Sequence, residues 1–144
     1  MRHALLNPAV VASYEAARYE VYGDEPAVLM VRDAAGIHDE WLAANRATNA
    51  VVITAWNPFG QQISPLKNQA ANRHLLQSIE SRALRWVPAR GADASGTWAE
   101  DSFCVFDVAH AQVEHWLVTY QQNAALCIRT GEPARLVWHM RFDP

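Results

Sequence analysis

Ala50-Val51-Val52-Ile53-Thr54-Ala55-Trp56 is an apolar run broken only by one threonine. A short β-branched run without polar alternation reads as a strand covered on both faces. It stops at Asn57-Pro58-Phe59-Gly60, whose composition is that of a turn. Ser64-Pro65 follows and announces a helix. Serine is a preferred N-cap, and proline suits the first helical position because its missing N–H has no partner there anyway. That helix is expected to run to about Arg82.

On the N-terminal side, Pro8 to about Ser13 reads as a short helical lead-in. Tyr14 to Tyr22 and Ala27 to Arg32 read as strands around the polar turn Gly23-Asp24-Glu25-Pro26. Ile37 to about Ala47 reads as a helix with Asp39 and Glu40 in its first turn. On the C-terminal side, Ala83 to Val87 and Thr97 to Val108 are expected strands, separated by a loop over Arg90 to Gly96. Asp107 is placed to cap a helix with Val113, Trp116, Leu117 and Tyr120 on its apolar side. Ala124 to Arg129 and Arg135 to Met140 close the chain as strands around Thr130-Gly131-Glu132-Pro133. Together these predict one α+β domain over residues 1–144, with a mixed sheet of about six or seven strands and about three helices.

Composition narrows the function classes. With 144 residues, 51% hydrophobic and six tryptophans, the chain has material for one core; such a length buries roughly two-thirds of the unfolded surface. The net charge is −3, and the arginines and the lone Lys67 are scattered, so nucleic-acid binding is not expected. No apolar stretch reaches the length of a membrane helix or a signal sequence, and a soluble cytoplasmic protein is the expectation. Cys104 and Cys127 stand alone in apolar runs, which predicts reduced buried thiols with neither a disulfide nor a metal. His110, Glu114 and His115 lack metal-site spacing, and His38-Asp39-Glu40 reads as a polar helix start. No phosphate-binding glycine loop or nucleophile-elbow motif occurs, so no cofactor is predicted.

The helix from Ser64 carries the informative anomaly. Leu75, Leu76 and Ile79 mark its buried side, while Lys67, His74, Gln77 and Ser81 fall opposite. Projected at 100° per residue, Asn68 and Asn72 share the buried sector. Buried amides must be satisfied. Two readings are compatible: they bond the backbone of the loop over Asn57 to Ile63, or they line a ligand cavity. In the second, helix N–H groups beside Ser64 would receive an anionic group and Trp56 would form an apolar wall. A second candidate is the strand row Trp98, Glu100, Ser102, Cys104, Phe106. If that row turns inward, Glu100 is desolvated and becomes the one candidate acid or base; if its end protrudes, Glu100 is solvated.

The run Thr54 to Gly60, with Ser64, Asn68 and Asn72 at four-residue steps, resembles a bacterial family termed domain of unknown function 3293. Tyr14 to Val21, the Trp98-x-Glu100-x-Ser102-Phe103 strand and Gln122-Asn123-Ala124 extend the resemblance. It implies that Asn57, Ser64, Asn68, Asn72 and Glu100 belong together as motif residues, and it implies no activity. The leading expectation is therefore a small-molecule or nucleotide-binding domain, with or without catalysis, for a small polar or anionic ligand. Its site would hold Trp56, Asn57, Ser64, Asn68, Asn72, Glu100 and Ser102 around one cavity at the start of the Ser64 helix. The alternative is a non-catalytic protein-interaction module, an adaptor or toxin-neutralising partner with an exposed aromatic surface.

Overall fold

In the computed structural model, residues 7–142 are described. The elements are α1 (Pro8–Ala16), β1 (Arg18–Val21), β2 (Ala27–Leu29), α2 (Asp39–Ala44), β3 (Asn49–Ile53), α3 (Pro65–Ser81), β4 (Trp86–Ala92), β5 (Ala99–Phe106), α4 (His110–Thr119), β6 (Ala124–Arg129) and β7 (Arg135–Trp138). The strands form one curled sheet in the order β2-β1-β4-β5-β3-β6-β7. The fold class is α+β, as the sequence predicts.

Every strand pair is antiparallel, which corrects the expected mixed sheet. The misleading feature was β3. Its uninterrupted apolar run suits a parallel strand, but an antiparallel sheet packed on both faces erases alternation equally well. One face carries Tyr19, Val21, Val52, Cys104, Phe106 and Leu126, with Leu42 of α2 packed on it. The opposite face carries Val51, Ile53, Val105 and Ala125, covered by Leu75 and Ile79 of α3 and by Val113, Trp116 and Leu117 of α4. Complete burial of a Leu or Ile side chain stabilises by about 1.5–3 kcal/mol, so Leu75 and Ile79 anchor α3 firmly.

Three further expectations change. Tyr14 is helical: Asn7 accepts the amide of Ala9 at 2.8 Å, Pro8 opens α1, and the helix runs on through Tyr14 to Ala16. The strand expected over Ala83–Val87 runs instead from Trp86 to Ala92, because β1 and β5 offer it partners on both edges through Arg90 and Gly91. Asp107 caps nothing in α4. Its backbone is left-handed (φ 55), and its carboxylate accepts the amides of Thr48 (2.9 Å) and Asn49 (3.4 Å), tying β5 to the start of β3. No helix among the described residues is long and apolar enough to cross a membrane.

Candidate functional site

Asn68 and Asn72 are buried on the inner side of α3, among Leu75 and Ile79. Their amides hold backbone. Asn72 Oδ1 accepts the amide of Ala55 at 2.8 Å, and its Nδ2 donates to the carbonyl of Asp101 at 3.0 Å. Asn68 Oδ1 accepts the amide of Asn57 at 2.7 Å, and its Nδ2 donates to Asn57 Oδ1 at 2.8 Å. Ser64 Oγ accepts the amide of Lys67 at 3.2 Å and caps α3 from an exposed position.

This clamp fixes an uncommon backbone. Asn57 (φ 46, ψ 75) and Phe59 (φ 50, ψ 32) both lie in the left-handed region, followed by Gly60 at φ 75. For a bulky residue such as Phe59 this is a genuine outlier, and a conformation of this kind costs on the order of 1–3 kcal/mol unless the surroundings hold it. The Phe59 amide donates to the carbonyl of Gln121, and the Gly60 amide to that of Asn57 at 2.8 Å. The strained turn aims Asn57 Nδ2 at Glu100 Oε2, 3.5 Å away, the outer limit of a hydrogen bond.

Glu100 lies on the sheet face of Cys104 and Phe106, since strand residues two apart share a face. Directly opposite it in register is Gly91 of β4, and opposite Gly91 is Tyr19 of β1. The Tyr19 ring lies over Gly91, where a Cβ would stand 3.8 Å from it, in ordinary van der Waals contact. The outcome is a cavity of about 380 Å³ under α1. Tyr14, Tyr19, Asn57, Phe59, Trp98 and Glu100 form its chemistry-bearing wall, with Gln122 and Asn123 beside them. A smaller chamber of about 30 Å³ adjoins it, sharing Tyr14, Tyr19, Trp98 and Glu100 and reaching Ser102. That is space for a water molecule or two.

Burial pushes the Glu100 carboxyl up to about 7, with Trp98 and Asn57 acting in the opposite sense. At neutral pH the group is therefore close to half ionised, the condition under which a carboxyl both takes and gives a proton. Burial, then the Glu100 charge, raises the Tyr14 phenol to about 12, opposed by Asn123. Tyr19 is raised by burial, by Tyr14 and by Glu100. Both phenols are thus neutral hydrogen-bond donors.

The residues singled out from sequence do not surround a single cavity. Asn57 and Glu100 line the cavity under α1, and Asn68 stands behind Asn57 as its clamp. Ser102 reaches the inner chamber, its hydroxyl donating to the Glu100 carbonyl at 3.1 Å. Trp56 and Asn72 instead line a groove on the other side of the sheet. The shared cavity for Glu100 and both α3 amides is therefore corrected. Glu100 has the strand parity of Cys104, whereas α3 packs on the parity of Phe103 and Val105. Tyr14, Tyr19, Phe59, Trp98, Gln122 and Asn123 were not anticipated as site residues. Signals existed for three: Trp98 shares the strand row of Glu100, and Gln122 and Asn123 are adjacent buried amides abutting an apolar strand. Gln122 Nε2 donates to the carbonyls of Trp56 and Tyr120, each at 3.1 Å.

Cys104 and Cys127 are free thiols on opposite faces of the sheet, paired in register with Val52 and Val51 of β3 respectively.

Residues 53–125 match the family described as "Protein of unknown function (DUF3293)". The matched span covers half the chain, from β3 to β6, and so includes the Asn57 turn, α3 and Glu100. The chain belongs to this family. No curated protein and no solved structure shows significant similarity to it.

Proposed function

We propose that this member of the DUF3293 family binds a small organic molecule in the cavity under α1, with Glu100 available for proton transfer. The observation that carries the reading is the placement of a half-buried carboxyl in an aromatic-walled cavity of about 380 Å³. That size falls within the range of small-molecule pockets, which are mostly apolar with a few convergent polar groups. A carboxyl whose ionisation is opposed by burial, set beside a strained turn, is unfavourable for folding, and such costs concentrate at functional sites. Asn57 is the polar partner, and Asn68 is a positioning residue that fixes it. A reducing, cytoplasmic setting is part of the same proposal.

The test is a thermal-shift screen of fragments on the full chain, repeated on Glu100→Gln and Asn72→Ala. Ligands of this cavity should stabilise the native protein and the Asn72→Ala protein, and lose their effect in Glu100→Gln. Fragments that stabilise Glu100→Gln as much as the native chain would remove the reading.

A second reading has one specific observation in its favour. The groove on the opposite side of the sheet, about 450 Å³, is lined by Tyr22, Trp56, Leu76, Trp86, Pro88 and Phe103. An aromatic groove of this kind suits a non-catalytic protein-interaction module. Fragment hits sensitive to Asn72→Ala and indifferent to Glu100→Gln would favour it.

A further inference from the structure

We infer that the cavity under α1 selects an organic cation: a protonated amine or amidine carried on a planar or apolar body. The inference rests on the pocket reading above and names its ligand class.

The lining supplies the argument. Four aromatic residues, Tyr14, Tyr19, Phe59 and Trp98, contribute to the wall, and Glu100 is the one acidic residue among the described residues that line it. No lysine, arginine or histidine is among the described residues that line it. Aromatic faces attract positive charge through the ring quadrupole, more strongly when water is excluded. A carboxylate in the same partly desolvated space adds Coulombic attraction that is screened less than in bulk water. An anion would meet the reverse: repulsion by Glu100 and no positive group in the described lining to replace its lost hydration.

The anion-receptive feature read from sequence, the Ser64 end of α3, does not line this cavity; Ser64 is exposed and its hydroxyl caps its own helix. Two basic residues, Arg141 and His139, touch the wall residue Phe59 without lining the cavity, which leaves Tyr14, Tyr19 and Trp98 as the rings open to a ligand cation. The Arg141 guanidinium stacks on the Phe59 ring at 4.2 Å and on Phe142 at 5.2 Å, and His139 meets Phe59 edge-on. Neither is among the groups that act on Glu100, which are Asn57 and Trp98. Among the described residues, the titratable groups facing Glu100 are Tyr14 of α1 and Tyr19 of β1, both neutral.

A cation bound beside Glu100 favours its ionised form, so binding displaces the carboxyl proton. Affinity for a permanently charged ligand therefore rises with pH as Glu100 ionises, and proton release accompanies binding.

Benzylammonium, benzyl alcohol and benzoate share a ring and differ in charge, which makes them suitable probes. Each is titrated into the full chain at millimolar concentration from pH 6 to pH 8. Binding is read from the side-chain amide resonances of Asn57 and Asn123. Benzylammonium should bind about tenfold tighter than benzyl alcohol at pH 8, with that margin shrinking toward pH 6, and benzoate should bind weakest. Glu100→Gln should bring the amine and the alcohol to within about twofold of each other. The pH series on the unaltered chain tests the same point without any substitution. Amine and alcohol binding alike at pH 8, or benzoate binding best, would overturn the cation inference and leave the pocket reading standing. An amine preference that survives Glu100→Gln would overturn it too. No shift at Asn57 or Asn123 with any of the three probes would remove both.

Discussion

Replacing Glu100 with glutamine should make the protein more stable at alkaline pH. The carboxyl lies at about 7 in the fold, against 4.5 when free. Between these values the folded chain binds more protons than the unfolded chain, so stability falls as pH rises through that interval. Each unit of separation is worth 1.36 kcal/mol, so about 2.5 units give roughly 3 kcal/mol, fully lost above pH 7. Glutamine keeps the shape and the hydrogen-bonding edge without a charge to desolvate. The two proteins should therefore match near pH 4 and diverge progressively above it. By pH 8, Glu100→Gln should unfold roughly 5–10 °C higher, scaling the free energy by the unfolding entropy of a domain this size. Urea titrations at pH 4, 6 and 8 would give the same difference as a shift in midpoint at constant slope. Parallel stability profiles for the two proteins from pH 5 to pH 8 would refute the reasoning, as would a less stable glutamine variant at pH 8. A gain of this sign is what is expected where a folded protein retains an unfavourable group for its use.

Asn68→Ala should destabilise the chain by about 2–4 kcal/mol in denaturant titrations, because it removes both bonds to Asn57 and releases a strained turn. Asn72→Ala should cost about 1–3 kcal/mol by orphaning the buried amide of Ala55, with hydrogen exchange at Ala55 accelerating relative to the amides of β3. Cys104 and Cys127 should both resist thiol reagents at pH 8 until the protein unfolds. Burial pushes the Cys104 thiol above its ordinary range and raises Cys127 to about 12, so little thiolate exists to react; rapid labelling of two thiols in the native protein would contradict this. Trp116→Ala should cost about 3–5 kcal/mol, since this α4 indole is wholly buried against the sheet and α3, and its N–H reaches Ser78 Oγ at 2.9 Å.

The elements that local physics decides were legible in the chain. Ser64-Pro65 specifies the start of α3 by hydrogen-bonding geometry alone, and the three-four spacing of Val113, Trp116 and Leu117 specifies the buried side of α4. Burial of Asn68 and Asn72 followed from the same periodicity. What the amides bond did not follow, because Asn57, Ala55 and Asp101 reach them only through tertiary packing. The cavity was invisible for a similar reason. Tyr19, Gly91 and Glu100 are distant in sequence and meet because β1, β4 and β5 are neighbours in a particular register. Strand alternation grouped Glu100 with Cys104, but it could not say which side of the sheet α3 would cover. Tyr14 was misplaced because its own β-propensity was outweighed by the Asn7-Pro8 cap and the helix it starts.

The strand order has a consequence for how the chain reaches this state. Three neighbouring pairs, β1–β2, β4–β5 and β6–β7, are also consecutive strands in sequence and can zip as local hairpins. Strand β3 has no such partner: its ladders run to β5 and β6, both far downstream. During synthesis its apolar Val51-Val52-Ile53 segment must wait, unpaired, until the ribosome has delivered most of the remaining chain. Closing such distant pairings is slow, and a waiting hydrophobic segment is prone to aggregate. Overexpression of this protein should accordingly be sensitive to temperature and to chaperone supply, with the insoluble fraction set by the time β3 spends without its neighbours.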